Sequence, residues 1–326
     1  MTSILQSNTA RILGPALLAL SACLAPTARA ADGPPVRLVV TFAAGGSTDN
    51  VARQLASSLY EVTGKQYIVD NKPGASGTIA TQEVVRARPD GQTLLFTTGG
   101  IATNAALFRK LPYDTLKDLT PVAKLSEAPG FLLLVPANSP FKTLDDLLAA
   151  ARARPGTLSY GSAGIGNTTH LAGALFERGA GIKLIHVPYK SNAVTDLIGG
   201  QIDMLFWGSS FAAQQVQSGK ARALALAGPR RLDDLPGVPT LEEKGIKGVS
   251  VPAWAGVFAP AGMPPEELKR LSADIAKATA RPAYIEMVKA SGGTLVSMTQ
   301  PEFATELRDE VTRFQRELPA LGISMD

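Results

Sequence analysis

VTFAAGGSTDN (Val40–Asn50) follows an apolar run, Val36 to Phe42, and precedes a helical pattern with Val51, Leu55 and Leu59 on one face. A strand therefore passes through a glycine pair and a Ser-Thr-Asp cluster into a helix. The start of a helix carries unpaired N–H groups and the positive end of its dipole, so it favours an anion. Gly45 and Gly46 permit unusual φ angles and allow a ligand close to the backbone. A second stretch of this kind, LSYGSAGIGNTTHL (Leu158–Leu171), occurs more than a hundred residues later. Ser47, Thr48, Asn167, Thr168 and Thr169 add hydroxyl and amide groups that suit an oxyanion. The same residue types are ordinary N-caps, and glycine is ordinary in β-α loops. Either loop alone needs no more than capping; as a pair they point to a ligand gripped from both sides. Asp49 reads as a cap within its own first helical turn.

Working outward, short apolar runs alternate with helical patterns. Gln66 to Asp70 and Thr93 to Thr97 read as strands around a helix from Thr78 to Arg88. A second series starts with a helix over Leu144–Arg154, closed by Pro155-Gly156. Strands at Leu158–Gly161, Lys183–Val187, Ile202–Phe206 and Ala221–Ala227 then alternate with helices at Thr168–Arg178, Ala193–Gly199 and Ala212–Ser218. The last part holds one strand, Trp254–Ala259, and amphipathic helices that include Pro264–Thr279 and Pro301–Leu318. This succession predicts α/β architecture with mostly parallel sheets and helices on both faces.

Phe131–Val135 leads into the second series and Trp254–Ala259 leads out. The expected organisation is two lobes joined by two hinge strands: residues 31–133 with 254–326, and residues 134–253. Ligands of open α/β sheets bind outside the carboxyl ends of the strands, and inter-lobe clefts are favoured sites. TTGGIATN (Thr97–Asn104), at the end of a first-lobe strand, is a further candidate loop.

A chain of 326 residues, 45% hydrophobic, suits two buried cores rather than one. Arg11, an apolar run from Ile12 to Ala25 and Ala28-Arg29-Ala30 describe a secretory signal peptide over residues 1–30. Its removal takes away Arg11 and Arg29 and lowers the formal charge from +4 to +2. With no basic stripe, this balance excludes nucleic acid as a partner. Leu20-Ser21-Ala22-Cys23 also has the form of a lipoprotein box, with Cys23 as the acylated residue. Cleavage near Ala30 leaves no cysteine, so the exported protein is held by its core without disulfides. The expected product is a periplasmic monomer.

VTFAAGGSTDNVARQLA, NKPGASGTIA, PDGQTLLF, LPYDTLKDLTPV, YGSAGIGNTTHLAGALF, HVPYK, TDLIGGQID and PGVPTLEEKG stand in this order along the chain. In these motifs the sequence resembles the Bug receptors, the extracytoplasmic solute-binding proteins of tripartite tricarboxylate transporters, over essentially all of the mature chain. The resemblance implies the two-lobed type II periplasmic-binding-protein fold, two Rossmann-like lobes joined by a two-strand hinge. It implies a small organic acid ligand held by the two loops, and a tripartite tricarboxylate transporter or a sensor kinase as membrane partner. The residues it carries over are Phe42, Ala43, Ala44, Gly45, Gly46 and Ser47 in the first loop. In the second they are Ser162, Ala163, Gly166, Asn167, Thr168 and Thr169.

The chain departs from the family after GGQID, where an apolar run commonly ends in Asp-Asn and the aspartate can meet a ligand's ammonium. Trp207 takes that place here. It reads either as an aromatic wall of the pocket or as core packing at a strand end. PYKSNAVTDL is also shorter than the usual version, which leaves the contributions of Tyr189 and Ser191 open.

A reactive constellation is missing. His170 and His186, the only histidines, do not stand in metal-ligand spacing, and no G-x-S-x-G elbow, dinucleotide fingerprint or P-loop is present. The expectation is a receptor without cofactor or metal. A sensor module of the same fold and a secreted α/β enzyme are the rival readings. Membrane subunits or a two-component pair in neighbouring genes separate uptake from sensing.

Overall fold

The apolar runs pair into two sheets. The structure, a computed structural model, describes residues 33–189, 193–249, 251, 253–290 and 293–319. The signal segment with Cys23, and Ser191, lie outside these residues.

The first half builds β1 (Val36–Val40), α1 (Ser47–Thr63), β2 (Tyr67–Asn71), α2 (Thr78–Val85), β3 (Thr93–Thr98), α3 (Gly100–Leu107) and β4 (Leu119–Glu127). The middle builds β5 (Phe131–Pro136), α4 (Leu144–Ala153), β6 (Ser159–Ser162), α5 (Thr168–Ala180), β7 (Ile185–Pro188) and α6 (Val194–Ile198). It continues with β8 (Met204–Gly208), α7 (Ser209–Gln217) and β9 (Ala221–Ala227). The chain closes with β10 (Trp254–Pro260), α8 (Pro265–Thr279), α9 (Pro282–Ala290), β11 (Thr294–Leu295) and α10 (Gln300–Glu317).

One sheet has the order β11-β4-β10-β3-β1-β2 and the other β7-β6-β8-β5-β9. Both are mixed rather than mostly parallel. β2-β1-β3 and β7-β6-β8 run parallel, as α crossovers require. β10 is antiparallel to β3 and β4, and β5 is antiparallel to β8 and β9. These antiparallel strands flank the points where the chain changes sheet, between β4 and β5 and again just before β10.

Both sheets are apolar on both faces, which is why their strands read as continuous runs instead of alternating ones. Val39, Leu95 and Phe258 enter one core, while Leu38, Leu94 and Val257 enter the core on the opposite face. α1 adds Leu55 and Leu59, both fully buried, and each contributes about 1.5–3 kcal/mol. That packing sets where α1 begins. α8, α9 and α10 return to pack on α1, β4 and α3.

At the first sheet change Gly130 has φ +148, and a Cβ there would lie 2.1 Å from the Ala227 carbonyl oxygen. Only glycine fits. Ala128 N donates to the Ala253 carbonyl at 2.6 Å, so the two crossing segments run side by side. No described helix is long and apolar enough to span a membrane.

Candidate functional site

The two glycine loops face each other across a cleft of about 730 Å³. At the first, Gly46 is the N-cap of α1, with φ −83 and ψ 173, and no side chain caps the helix. Asp49 does not turn onto its own first-turn N–H groups. Its buried carboxylate accepts from Gly45 N at 2.8 Å, Arg53 Nε at 2.9 Å and Asn71 Nδ2 at 2.9 Å. Burial alone would raise its pKa, but the hydrogen bonds from Arg53, Gly45 and Asn71 outweigh it and hold the group below the usual carboxylate range. Asp49 thus tethers the loop from behind, and the start of α1 stays open to the cleft.

The second loop is built differently. Asn167 caps α5: its Oδ1 accepts from Thr169 N at 3.1 Å and from the hydroxyls of Thr168 and Thr169 at 3.3 and 3.2 Å. A cap of this kind contributes about 1 kcal/mol. It occupies the carbonyl end of the amide, while the donor end, Nδ2, lies by the start of α3, 3.9 Å from where a Cβ on Gly100 would stand. Thr169 Oγ1 also accepts from Ala163 N at 2.9 Å, which fixes the strand-to-helix turn.

Behind this loop the histidines stack, with ring centroids 4.0 Å apart and 17° between planes. Ser162 shares a 2.6 Å hydrogen bond with His186 Nε2, and Gly166 N donates to His170 Nδ1 at 3.0 Å. That acceptor role places the proton of the neutral His170 ring on Nε2. Burial lowers both histidines to about 4, with the neighbouring ring adding to the shift of His170. They are neutral supports for the loop.

The lobes touch at the mouth of the cleft. Thr103 Oγ1, on α3, shares its proton between the Gly100 carbonyl of its own helix at 3.0 Å and the Gly166 carbonyl at 3.3 Å. Ser76 Oγ donates to the Ile165 carbonyl. Ser76 and Ala75 both have positive φ, 54° and 44°, a costly backbone for residues other than glycine. Asn104 Nδ2 holds this turn by donating to the Ser76 carbonyl at 2.9 Å. The TTGGIATN stretch therefore serves mainly as a bridge between lobes, although Thr98 reaches the cleft wall.

Of the residues singled out from sequence, Phe42, Ala43, Ala44, Gly45 and Gly46 line the cleft from the first loop. Ala163, Asn167, Thr168 and Thr169 line it from the second. Ser47 opens α1 beside Gly46. Ser162 and Gly166 lie one layer back, on the histidine pair. Trp207 meets both of its readings: it is half-buried, packs against the cluster around Leu132 and Leu205, and lines the cleft.

Strand order gives the cleft its length. On the first sheet β1 ends at the glycine loop and β4 lies three strands away, about 14 Å across the sheet. On the second, β6 carries the glycine loop, β8 carries Trp207 and β5 begins at Phe131. The cleft thus runs from two polar loops at its mouth to an apolar floor where the chain changes sheet. Phe131, Trp254 and Val288 form that floor, all buried. Trp254 directs its Nε1 away to Glu310 Oε2 at 2.9 Å. Sequence reasoning did not pick out these residues, nor the Pro73–Gly77 turn that also lines the cleft.

Glu127, at the end of β4, is the one charged residue that lines the cleft among the described residues. The pairing with β10 steps from Ser126 to Lys124 opposite consecutive residues, which makes Leu125 an extra residue in the strand. That bulge brings Lys124 and Glu127 to one face, with Lys124 Nζ 2.9 Å from Glu127 Oε2 and 2.8 Å from Glu306 Oε1. Burial lowers the Lys124 pKa, but the hydrogen bonds to Glu306 and Glu127 outweigh it and leave the ammonium above its ordinary value.

A family model described as the tripartite tricarboxylate transporter family receptor matches residues 51–323. The periplasmic binding protein BugD has the same fold at TM-score 0.85 and 31% identity, covering 90% of this chain and 99% of that one. MatC of Rhodopseudomonas palustris, solved with bound malate, matches at TM-score 0.82 and 31% identity over 86% of this chain and 98% of its own. A second R. palustris protein, solved with adipate, matches at TM-score 0.82 and 31% identity over 89% and 98%.

Proposed function

This chain belongs to the tripartite tricarboxylate transporter receptor family, and we propose that it captures a small organic carboxylate between its lobes and delivers it to the membrane subunits of such a transporter. The observation that carries this reading is the open start of α1 facing the start of α5 across one cleft. Relatives solved with malate and with adipate support a carboxylate as the ligand class.

The ligand's carboxylate accepts from the first-turn N–H groups of α1 and from Asn167 Nδ2, so one anion bridges both lobes. It favours closure because only the closed form presents both sets of donors. A helix start supplies up to about 2 kcal/mol to a partly buried anion. Micromolar binding needs about 8 kcal/mol, so the apolar walls must contribute much of the affinity. This favours an acid with an uncharged body. The polar groups of the cleft donate to an anion, while both histidines are committed to the loop behind it. The chemistry is capture without conversion. We place the mature protein in the periplasm, after removal of residues 1–30.

A thermal-shift screen over mono-, di- and tricarboxylates tests the assignment, because a bound ligand raises apparent stability. At least one acid should raise the melting temperature and be recovered unchanged. Stabilisation by sugars or amines with none by acids would overturn it.

A further inference from the structure

The second glycine loop meets the first lobe through its backbone. The Ile165 side chain is exposed, while its carbonyl accepts from Ser76 Oγ across the seam. On the other side of the same peptide, Gly166 N donates to His170 Nδ1 at 3.0 Å. A trans peptide points its C=O and N–H in opposite directions. With the N–H held by His170 in the second lobe, the carbonyl is aimed at the first. Ser76, the Ile165–Gly166 peptide and His170 therefore form one hydrogen-bonded chain between the lobes, in which each bond polarises the next.

Both ends of this chain are fixed. Asn104 Nδ2 donates to the Ser76 carbonyl at 2.9 Å. His170 stacks on His186 with centroids 4.0 Å apart, and His186 bonds Ser162, whose hydroxyl accepts from Gly164 N at 3.2 Å. The two rings thus secure both glycines that flank Ile165. Gly164 and Gly166 have φ of 109° and 77°. Glycine accepts either sign of φ, so the plane of the peptide between them depends on such anchors. Burial lowers His170 to about 4, which keeps Nδ1 free to accept at neutral pH. We infer that His170 is a positioning residue for capture: by holding Gly166 N it aims the Ile165 carbonyl at Ser76, and so sets how tightly the lobes retain the bound acid. The inference rests on the carboxylate reading given above.

The test is calorimetric titration of the full mature chain with adipate, malate and hexanoate: a long diacid, a short one and a monoacid. His170→Asn places an amide oxygen where Nδ1 stands and keeps the acceptor. His170→Phe keeps a ring for the stack and removes the acceptor. With the best-bound of the three acids, the Asn variant should match the wild type within about twofold, and the Phe variant should bind at least about fivefold more weakly. In a background without the two donors of the first lobe, Ser76→Ala with Thr103→Val, the Asn and Phe variants should differ by less than about twofold, because His170 acts through those contacts. Should the Phe variant fail to fold, His170→Leu takes its place under the same criteria. Equal binding by the Asn and Phe variants, or the same ratio between them in both backgrounds, would overturn the inference while leaving carboxylate capture intact. Binding of none of the three acids would refute the carboxylate reading, and this inference with it.

Discussion

Thr103 and Gly166 lie in different lobes, and the Thr103 hydroxyl shares its proton between the Gly166 carbonyl at 3.3 Å and the Gly100 carbonyl of its own helix at 3.0 Å. Together with Ser76 on the Ile165 carbonyl, it ties the strained Pro73–Gly77 turn and α3 to the second glycine loop. Both contacts span the two lobes. Thr103→Val keeps the volume and removes the shared hydroxyl, whose contribution across the lobes is at most about 1 kcal/mol, or up to roughly fivefold. We expect ligand release to accelerate by about that factor, with a similar change for Ser76→Ala. Stopped-flow release rates check this, and unchanged rates in both variants would remove the latch.

The histidine pair makes stability depend on pH. His170 and His186 titrate near 4 in the folded protein against 6.5 when unfolded, because burial penalises the charged rings. The unfolded chain therefore binds more protons between these values, and stability falls as pH drops through that window. Solvent screening at the half-buried His186 reduces its share. Between about pH 6 and pH 5 the loss should be on the order of 1–2 kcal/mol. Urea denaturation at the two pH values measures it, and His186→Gln should flatten the dependence. Equal stability at both would show that the rings are charged in the fold.

Much of this site was legible in the sequence. β1, α1, β6 and α5 follow from apolar periods and from glycine between them. β4 escaped because Pro121, Lys124 and the extra residues in its pairing with β10 break any alternation. With β4 went Glu127 and the floor of the cleft. α3 was hidden by Gly99 and Gly100 and by its small residues. The placement of Ser162 and Gly166 behind the cleft wall depends on Tyr160 and His186 lying opposite each other in β6 and β7, a long-range register that no local pattern announces.

Trp207 bears on ligand class. An α-amino acid brings an ammonium beside the loops, where the indole offers an apolar face and no counter-charge. In competition, 4-methylpentanoate should displace leucine, its amino-acid counterpart. Trp207→Asp should weaken 4-methylpentanoate by about tenfold through charge repulsion. Tighter binding of leucine would assign Trp207 the wrong role.

Export is read by intact mass. The exported protein should begin near Ala31. A diacylglyceryl mass on Cys23 would establish the lipoprotein form instead.

The capture of one carboxylate by both glycine loops is tested most directly at Gly46. Its φ is −83, and a Cβ there meets only the Ala43 carbonyl at 3.6 Å, so a side chain fits the fold while entering the cleft. Gly166, with φ +77, would be strained by any such change and is the poorer site for the test. Calorimetric titration of wild type and Gly46→Val with the best-bound acid should show one site per chain, weakened at least tenfold, about 1.4 kcal/mol, in a variant that melts normally. Unchanged affinity in the folded Gly46→Val protein would place the ligand elsewhere and contradict capture between the loops.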